Sequence, residues 1–283
     1  MIENGVMVVG VDGSRSATDA AKWTAAVASR RRCGLRVVYV LPEPRRPSTA
    51  PEVGGREPLA AEQYRAAEAI VTDVVTVVRA YFPRLDVEGR VESGPVTAAL
   101  AAASEGAHMV VLGHSGSGSG ALEALLRRST AQDLVRRASC PVASWRGQPG
   151  RLPDDERPVV VGIDTGPRGV SVALVAFELA ASFGTSVVAV HAWFSLPGVT
   201  EPSRSVPPEV LAAARERFPQ VPVVEVSVEG DPADVLLGHA ADAQLICVGS
   251  HGRGRFAGAV IGSVGRDVLQ RSECPVVLCP PAR

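Results

Sequence analysis

The sequence predicts an α/β protein built as two tandem doubly wound parallel sheets of five strands each, and two observations carry that reading. The first is internal repetition. MVVGVDGS (7–14) returns as VVVGIDTG (159–166), AHMVVLGHSG (107–116) as AQLICVGSHG (243–252), and ASCPVASW (138–145) as SECPVVLC (272–279). The pairs are displaced by 152, 136 and 134 residues and keep their order, so one domain has been duplicated with a length change after the first pair. That change falls mainly in the Pro- and Gly-rich stretch LPEPRRPSTAPEVGGREP. The second observation is alternation. Short β-branched runs, read as buried strands, alternate with longer stretches of helical period.

In the first copy the strands are VMVVGV, LRVVYVL, LDVEGRV, HMVVLG and CPVAS. An Ala-rich helix is expected from Ala17 to Arg30, ending near Gly34 as its C-terminal cap. Ile70, Val74, Val77, Val78 and Tyr81 predict one apolar helix face. The second copy repeats the series as VVVGI, a helix over Gly169–Phe183, SVVAVHAW, a helix over Glu209–Phe218, VPVVEVSV, a helix from Pro232, LICVGS, a helix from Ser263, and PVVLC. RGQPGRLPDDERP between the copies has linker composition, giving domains 1–146 and 158–283. Each is expected to be a Rossmann-like or flavodoxin-like α/β sandwich. The fifth strands would otherwise be apolar edges. Pairing one with the other predicts an intramolecular pseudo-dimer, with a homodimer as a further step.

Composition narrows the function. The chain has 283 residues, 46% hydrophobic and 21% charged, which is ordinary for globular cores. A net charge of −1 offers no basic surplus for nucleic acid. Glu3 stands ahead of a short first apolar run, unlike a secretory signal, and no apolar run reaches the ~20 residues of a membrane span. Five cysteines without CxxC spacing read as reduced, buried thiols of a cytoplasmic protein. Lys22 is the only lysine and lacks the GxxxxGK[ST] context of a P-loop.

In a doubly wound sheet, ligands sit beyond the carboxyl ends of the strands where strand order reverses. Asp12 and Asp164 follow the first strand of each copy, after Gly10 and Gly162. A glycine-rich loop follows the fourth strand. In the second copy it reads Gly249-x2-Gly252-x9-Gly262-Ser263 ahead of VGRDVLQR, with His251, Arg253 and Arg255 adding charge. Glycines let backbone amides approach an anion, and Ser263 is expected to N-cap a helix whose positive end suits phosphate.

These residues resemble the universal stress protein family in its tandem, ATP-binding form, over nearly the whole chain. The resemblance implies that Asp164 reads the adenine edge, with Gly162 close by and Ala192 near the base. Gly249, Gly252, Gly262 and Ser263 would hold ribose and phosphates, with Ser250, His251, Arg253, Gly254 and Val264 completing the loop and Gly230 at the rim. The matching positions of the first copy are Gly10, Asp12, Val40, Gly94, Gly113, Gly116, Gly118, Arg128 and Ser129. There the loop is longer by two residues, and Arg128 replaces the glycine equivalent to Gly262. The expected function is an ATP-binding regulator of the stress response, with Mg²⁺ accompanying the nucleotide and a regulatory protein as partner. No residue set forms a general base aimed at a γ-phosphate, so an enzyme is not expected beyond slow ATP turnover.

Other readings fare worse. A dinucleotide site places GxGxxG after the first strand, where this chain has DGSRS and DTGPR. A nucleophile elbow around Ser115 would need glycine at position 117, which is Ser117. His108, His239 and His191 are isolated and read as structural, and Cys140 and Cys274 read as buried thiols ahead of the fifth strands. A ligand-independent scaffold remains the competing class, with a slow nucleotide hydrolase behind it.

Overall fold

The computed structural model describes residues 5–42, 56–113, 130–165, 167–193, 204–250 and 262–280. The chain divides into two compact units, Met1–Cys140 and Pro141–Arg283.

In the first unit the order is β1 (Val6–Val11), α1 (Arg15–Arg31), β2 (Gly34–Leu41), α2 (Arg56–Tyr81), β3 (Val87–Ser93), α3 (Val96–Ala103), β4 (Ala107–Gly113) and α4 (Thr130–Arg137). The strands lie β3-β2-β1-β4, all parallel. Strand order therefore reverses between β1 and β4. Every residue of β1 is buried, as a strand covered on both faces requires.

Two local expectations are corrected here. The C-terminal cap of α1 is Arg32, in the left-handed region at φ 54°, rather than Gly34, which opens β2. Arg32 N–H donates to Ser29 O (3.2 Å) and Cys33 N–H to Ala28 O (3.0 Å), so the helix ends in a Schellman motif without glycine. The buried face of α2 is Ala67, Val71, Val74, Val75 and Val78, while Tyr81 is 63% exposed. The rotation follows from Gly89 of β3. Its missing side chain leaves room for Val71, and a Cβ there would also come within 3.3 Å of Val75. Tyr81 instead lies under the ammonium of Lys22.

The second unit begins with β5 (Val142–Trp145), then β6 (Val159–Gly162), α5 (Pro167–Phe183), β7 (Val187–Trp193), α6 (Pro208–Arg217), β8 (Val223–Glu229), α7 (Pro232–Ala240), β9 (Leu245–Gly249), α8 (Ser263–Arg271) and β10 (Val276–Cys279). Strands β10-β9-β6-β7-β8 are parallel neighbours, and β5 pairs antiparallel with β10 through Val276–Ser144, Val277–Ala143 and Leu278–Val142. The expected pairing of the two fifth strands is present. Helix α5 ends in the same motif as α1, with Gly184 (φ 77°) donating to Ala181 O and Thr185 N–H to Ala180 O. The segment before β6 is docked: buried Gln244 donates to Asp154 O and Arg157 O and accepts from Asp154 N–H.

Candidate functional site

Among the described residues Gly10, Asp12 and Gly113, and again Gly162, Asp164 and Gly249, stand at the carboxyl ends of the strands that flank the reversal point of each unit. In the first unit Gly10, Asp12, Val40 and Gly113 line one shallow cleft, open to solvent, with Val11, Ala17, Val38, Val96, Leu100 and Leu112. A Cβ on Gly10 would meet Leu112 at 2.8 Å and Leu100 at 3.5 Å, so the glycine keeps the cleft floor flush. Gly113 must be glycine for a harder reason: a Cβ would lie 2.9 Å from the backbone of Ser16 and Ala17, where α1 begins. Gly94 follows β3 at φ 122°, its N–H bonded to Leu41 O (3.0 Å).

Asp12 is held in place by its own turn. Its Oδ1 accepts from Ser14 N–H (2.9 Å), while Ser14 N-caps α1 by accepting from Ala17 N–H (3.1 Å). Asp12 is the charged residue among those lining the cleft. Burial, aided by the Asp12 carboxylate, raises the pKa of nearby Tyr39. Apolar walls with one fixed carboxylate suit a flat ring carrying a hydrogen-bond donor at its edge. Gly116, Gly118, Arg128 and Ser129 lie outside the described residues.

The second unit repeats this floor. A Cβ on Gly162 would meet Leu236 at 3.1 Å and Val248 at 3.4 Å, the counterparts of Leu100 and Leu112. Asp164 follows β6 and Ala192 stands on β7 one residue before Trp193, whose carbonyl accepts from Gly230 N–H (2.8 Å). Gly249 ends β9. Ser250 follows, 2% exposed, its N–H bonded to Cys279 O (3.0 Å).

The ends of the glycine loop meet: Gly262 N–H donates to Ser250 O (3.0 Å). The N-cap of α8 is Gly262, at extended ψ 154° and without a side-chain cap bond, and Ser263 is the first helical residue. This corrects the expectation that Ser263 is the cap. The reason is geometric: Gly262 O takes the first helical bond, from Arg266 N–H (3.1 Å), and Ser263 is exposed. The amides of Ser263, Val264 and Gly265 precede that first bond and form the donor end of the helix. His251, Gly252, Arg253 and Gly254 lie outside the described residues.

Sequence reasoning missed the apolar cleft wall. Val38 shares a face of β2 with Val40 by the two-residue period, and Leu100 follows Val96 by one helical turn, so both were within reach of pattern alone. The cysteines are free and buried. Burial pushes the Cys140 and Cys279 thiols up to about 12 and raises Cys247 well above its ordinary value, with Cys279 and Cys274 adding to it. At neutral pH these are protonated, poor nucleophiles. Among the described residues no group of His, Cys, Asp or Glu could hold a metal, and no helix is long and apolar enough to cross a membrane.

The comparisons with known proteins agree with this architecture. The universal stress protein family profile matches residues 4–144 and again 156–280. A universal stress protein of Mycobacterium tuberculosis strain H37Rv is 38% identical over 293 residues, covering 96% of both chains. Another, from Mycolicibacterium smegmatis, is 32% identical over 290 residues and 97% of both chains. The crystal structure of a universal stress protein from Archaeoglobus fulgidus superposes with a TM-score of 0.74 at 16% identity, covering 99% of this chain and 100% of that one. With two matched copies spanning most of its length and relatives of this similarity, the chain belongs to the universal stress protein family.

Proposed function

We propose that this protein binds ATP in its second copy and acts as a nucleotide-dependent regulator of the stress response. The observation that carries the reading is the Gly262–Ser250 bond of that copy, which sets the amino end of α8, free of any side-chain cap bond, near the end of β9. Free amides and the positive end of a helix favour phosphate. The floor of Gly162, Leu236 and Val248 and the carboxylate of Asp164 follow the plan of the first-unit cleft, and suit the adenine. Mg²⁺ would come with the phosphates, since the described residues supply no carboxylate cluster for it.

Occupancy of the loop would bias two conformations recognised differently by a protein partner. We place this activity in the cytoplasm, in a chain whose β5 pairs with β10 and which could associate further as a homodimer. The test is mass spectrometry of ligand released on denaturation, joined to calorimetric titration with ATP. One tight site per chain supports the reading. An empty protein that shows no heat with ATP leaves the ligand-independent scaffold in its place, and steady phosphate release would instead favour the slow hydrolase.

A further inference from the structure

Helix α8 has little to hold it besides its ends. It is nine residues long, and Gly265 and Val268 are its buried residues. Short helices depend on tertiary anchors rather than on their own propensity. One anchor at its amino end is the Gly262–Ser250 bond. At the other end Arg271 pairs with Asp234 of α7 at 2.6 Å, but both side chains are more than half exposed, which makes a weak tie.

The stronger tie comes from the residue after β5. Arg146 Nη1 donates to Gln270 O (2.9 Å) and to Ser272 O (3.3 Å), the carbonyls that the end of α8 leaves open. Its Nε is buried without a hydrogen-bond partner among the described residues, a desolvation cost that the two Nη1 bonds must offset. A cation at a helix carboxyl end also complements the dipole. Strand β5 itself is fixed by its ladder to β10, so Arg146 is delivered to α8 from a rigid element. The position equivalent to Arg146 in the second copy is Pro280, which has no side-chain donor. The copy with the complete phosphate motif thus has an arginine that its sister sequence does not offer in return.

We infer that Arg146 is a positioning residue for phosphate recognition: donated by the tail of the first copy, it clamps the carboxyl end of α8 so that the amides of Ser263, Val264 and Gly265 are set for a phosphate chain. The inference rests on the nucleotide reading above. It makes the phosphate part of the second site depend on a residue of the first repeat, while the adenine part does not.

The experiment compares ATP and adenosine binding by calorimetry in the full chain and in Arg146→Ala and Arg146→Lys. Arg146→Ala is expected to weaken ATP about fivefold while leaving adenosine within about twofold, and Arg146→Lys to restore part of the loss. A merely structural role would weaken both ligands together. Equal losses for ATP and adenosine, or an unchanged ATP affinity in Arg146→Ala, would overturn the inference. If Arg146→Ala does not fold, Arg146→Lys carries the same comparison, since lysine keeps the charge but lacks the length and planar fork that bring Nη1 to both carbonyls. A wild-type chain that binds neither ligand overturns the nucleotide reading and the clamp with it, and is recognised before any substitution is made.

Discussion

The two copies are alike at their strand ends and unlike at their helix ends. Gly10 and Gly162 meet the same pair of neighbours, one from the fourth strand and one from the helix after the rim glycine. Yet α1 starts over Ala17 and ends on Arg32, where α5 has Gly169 and Gly184. A residue at a buried strand end touches packed side chains on several sides, so replacing it disturbs them all. At the carboxyl ends of these helices Arg32 and Gly184 reach the same motif, while the buried helix starts, Ala17 and Gly169, each fit their own surroundings. Duplication has therefore left the floor of the site constant and its rim free to diverge.

Gly169 tests that contrast most severely. A Cβ there would overlap the carbonyl oxygen of Asp164 and come within 3.0 Å of Val210, so Gly169→Ala is expected to cost about 3 kcal/mol. Its mirror, Ala17→Gly, removes a helical alanine that already fits and should cost about 1 kcal/mol. Chemical denaturation of both variants measures the gap, and equal costs would erase the distinction between the helix starts.

The rim can be exchanged directly. Gly262→Arg gives the second copy the residue found at position 128, and is expected to weaken ATP at least about tenfold, or 1.4 kcal/mol. The reciprocal Arg128→Gly should add a second, weaker site. Titration of the two variants sharpens the comparison: an unchanged stoichiometry in Arg128→Gly means that the longer first loop, rather than the arginine, sets the difference.

The helix ends differ by less. Arg32→Gly should stabilise the first unit by about 1 kcal/mol, because a left-handed residue with a Cβ is strained, and Gly184→Ala should destabilise the second by a similar amount. Thermal unfolding reads both, and shifts of the same sign would contradict the shared motif.

The smallest effect belongs to the docked segment before β6. Burial works against the Asp154 carboxylate, but hydrogen bonds from Arg157 and the backbone outweigh it and hold its pKa below the ordinary value. Its contribution is complete above the unfolded pKa and fades as pH falls through the lowered folded one. Because the group is partly exposed, about 0.5 kcal/mol is expected. An Asp154→Asn variant should lose that acid-range slope, read as denaturation midpoint against pH.

Much of this was readable in advance for a definite reason. Repeated strand sequences and the aspartate after each first strand mark positions whose neighbours are set by chain order and a right-handed crossover. The face of α2 was not readable, because Val71 and Val75 are buried by the gap at Gly89, which belongs to another element. The cap of α8 slipped by one residue, since serine and glycine both suit that place and the bond from Arg266 N–H decides between them. Arg146 looked like linker because nothing local marks it.

Taken alone, the residue order determined the duplication, the parallel α/β plan, and which glycines and aspartates stand at the strand ends, for these follow from period and local chemistry. Tertiary structure decided what depends on meetings between distant segments: the apolar wall of the first cleft, the closure of Ser250 on Gly262, and the arrival of Arg146 at the end of α8. Such contacts are made by residues far apart in the chain, and no periodicity encodes them.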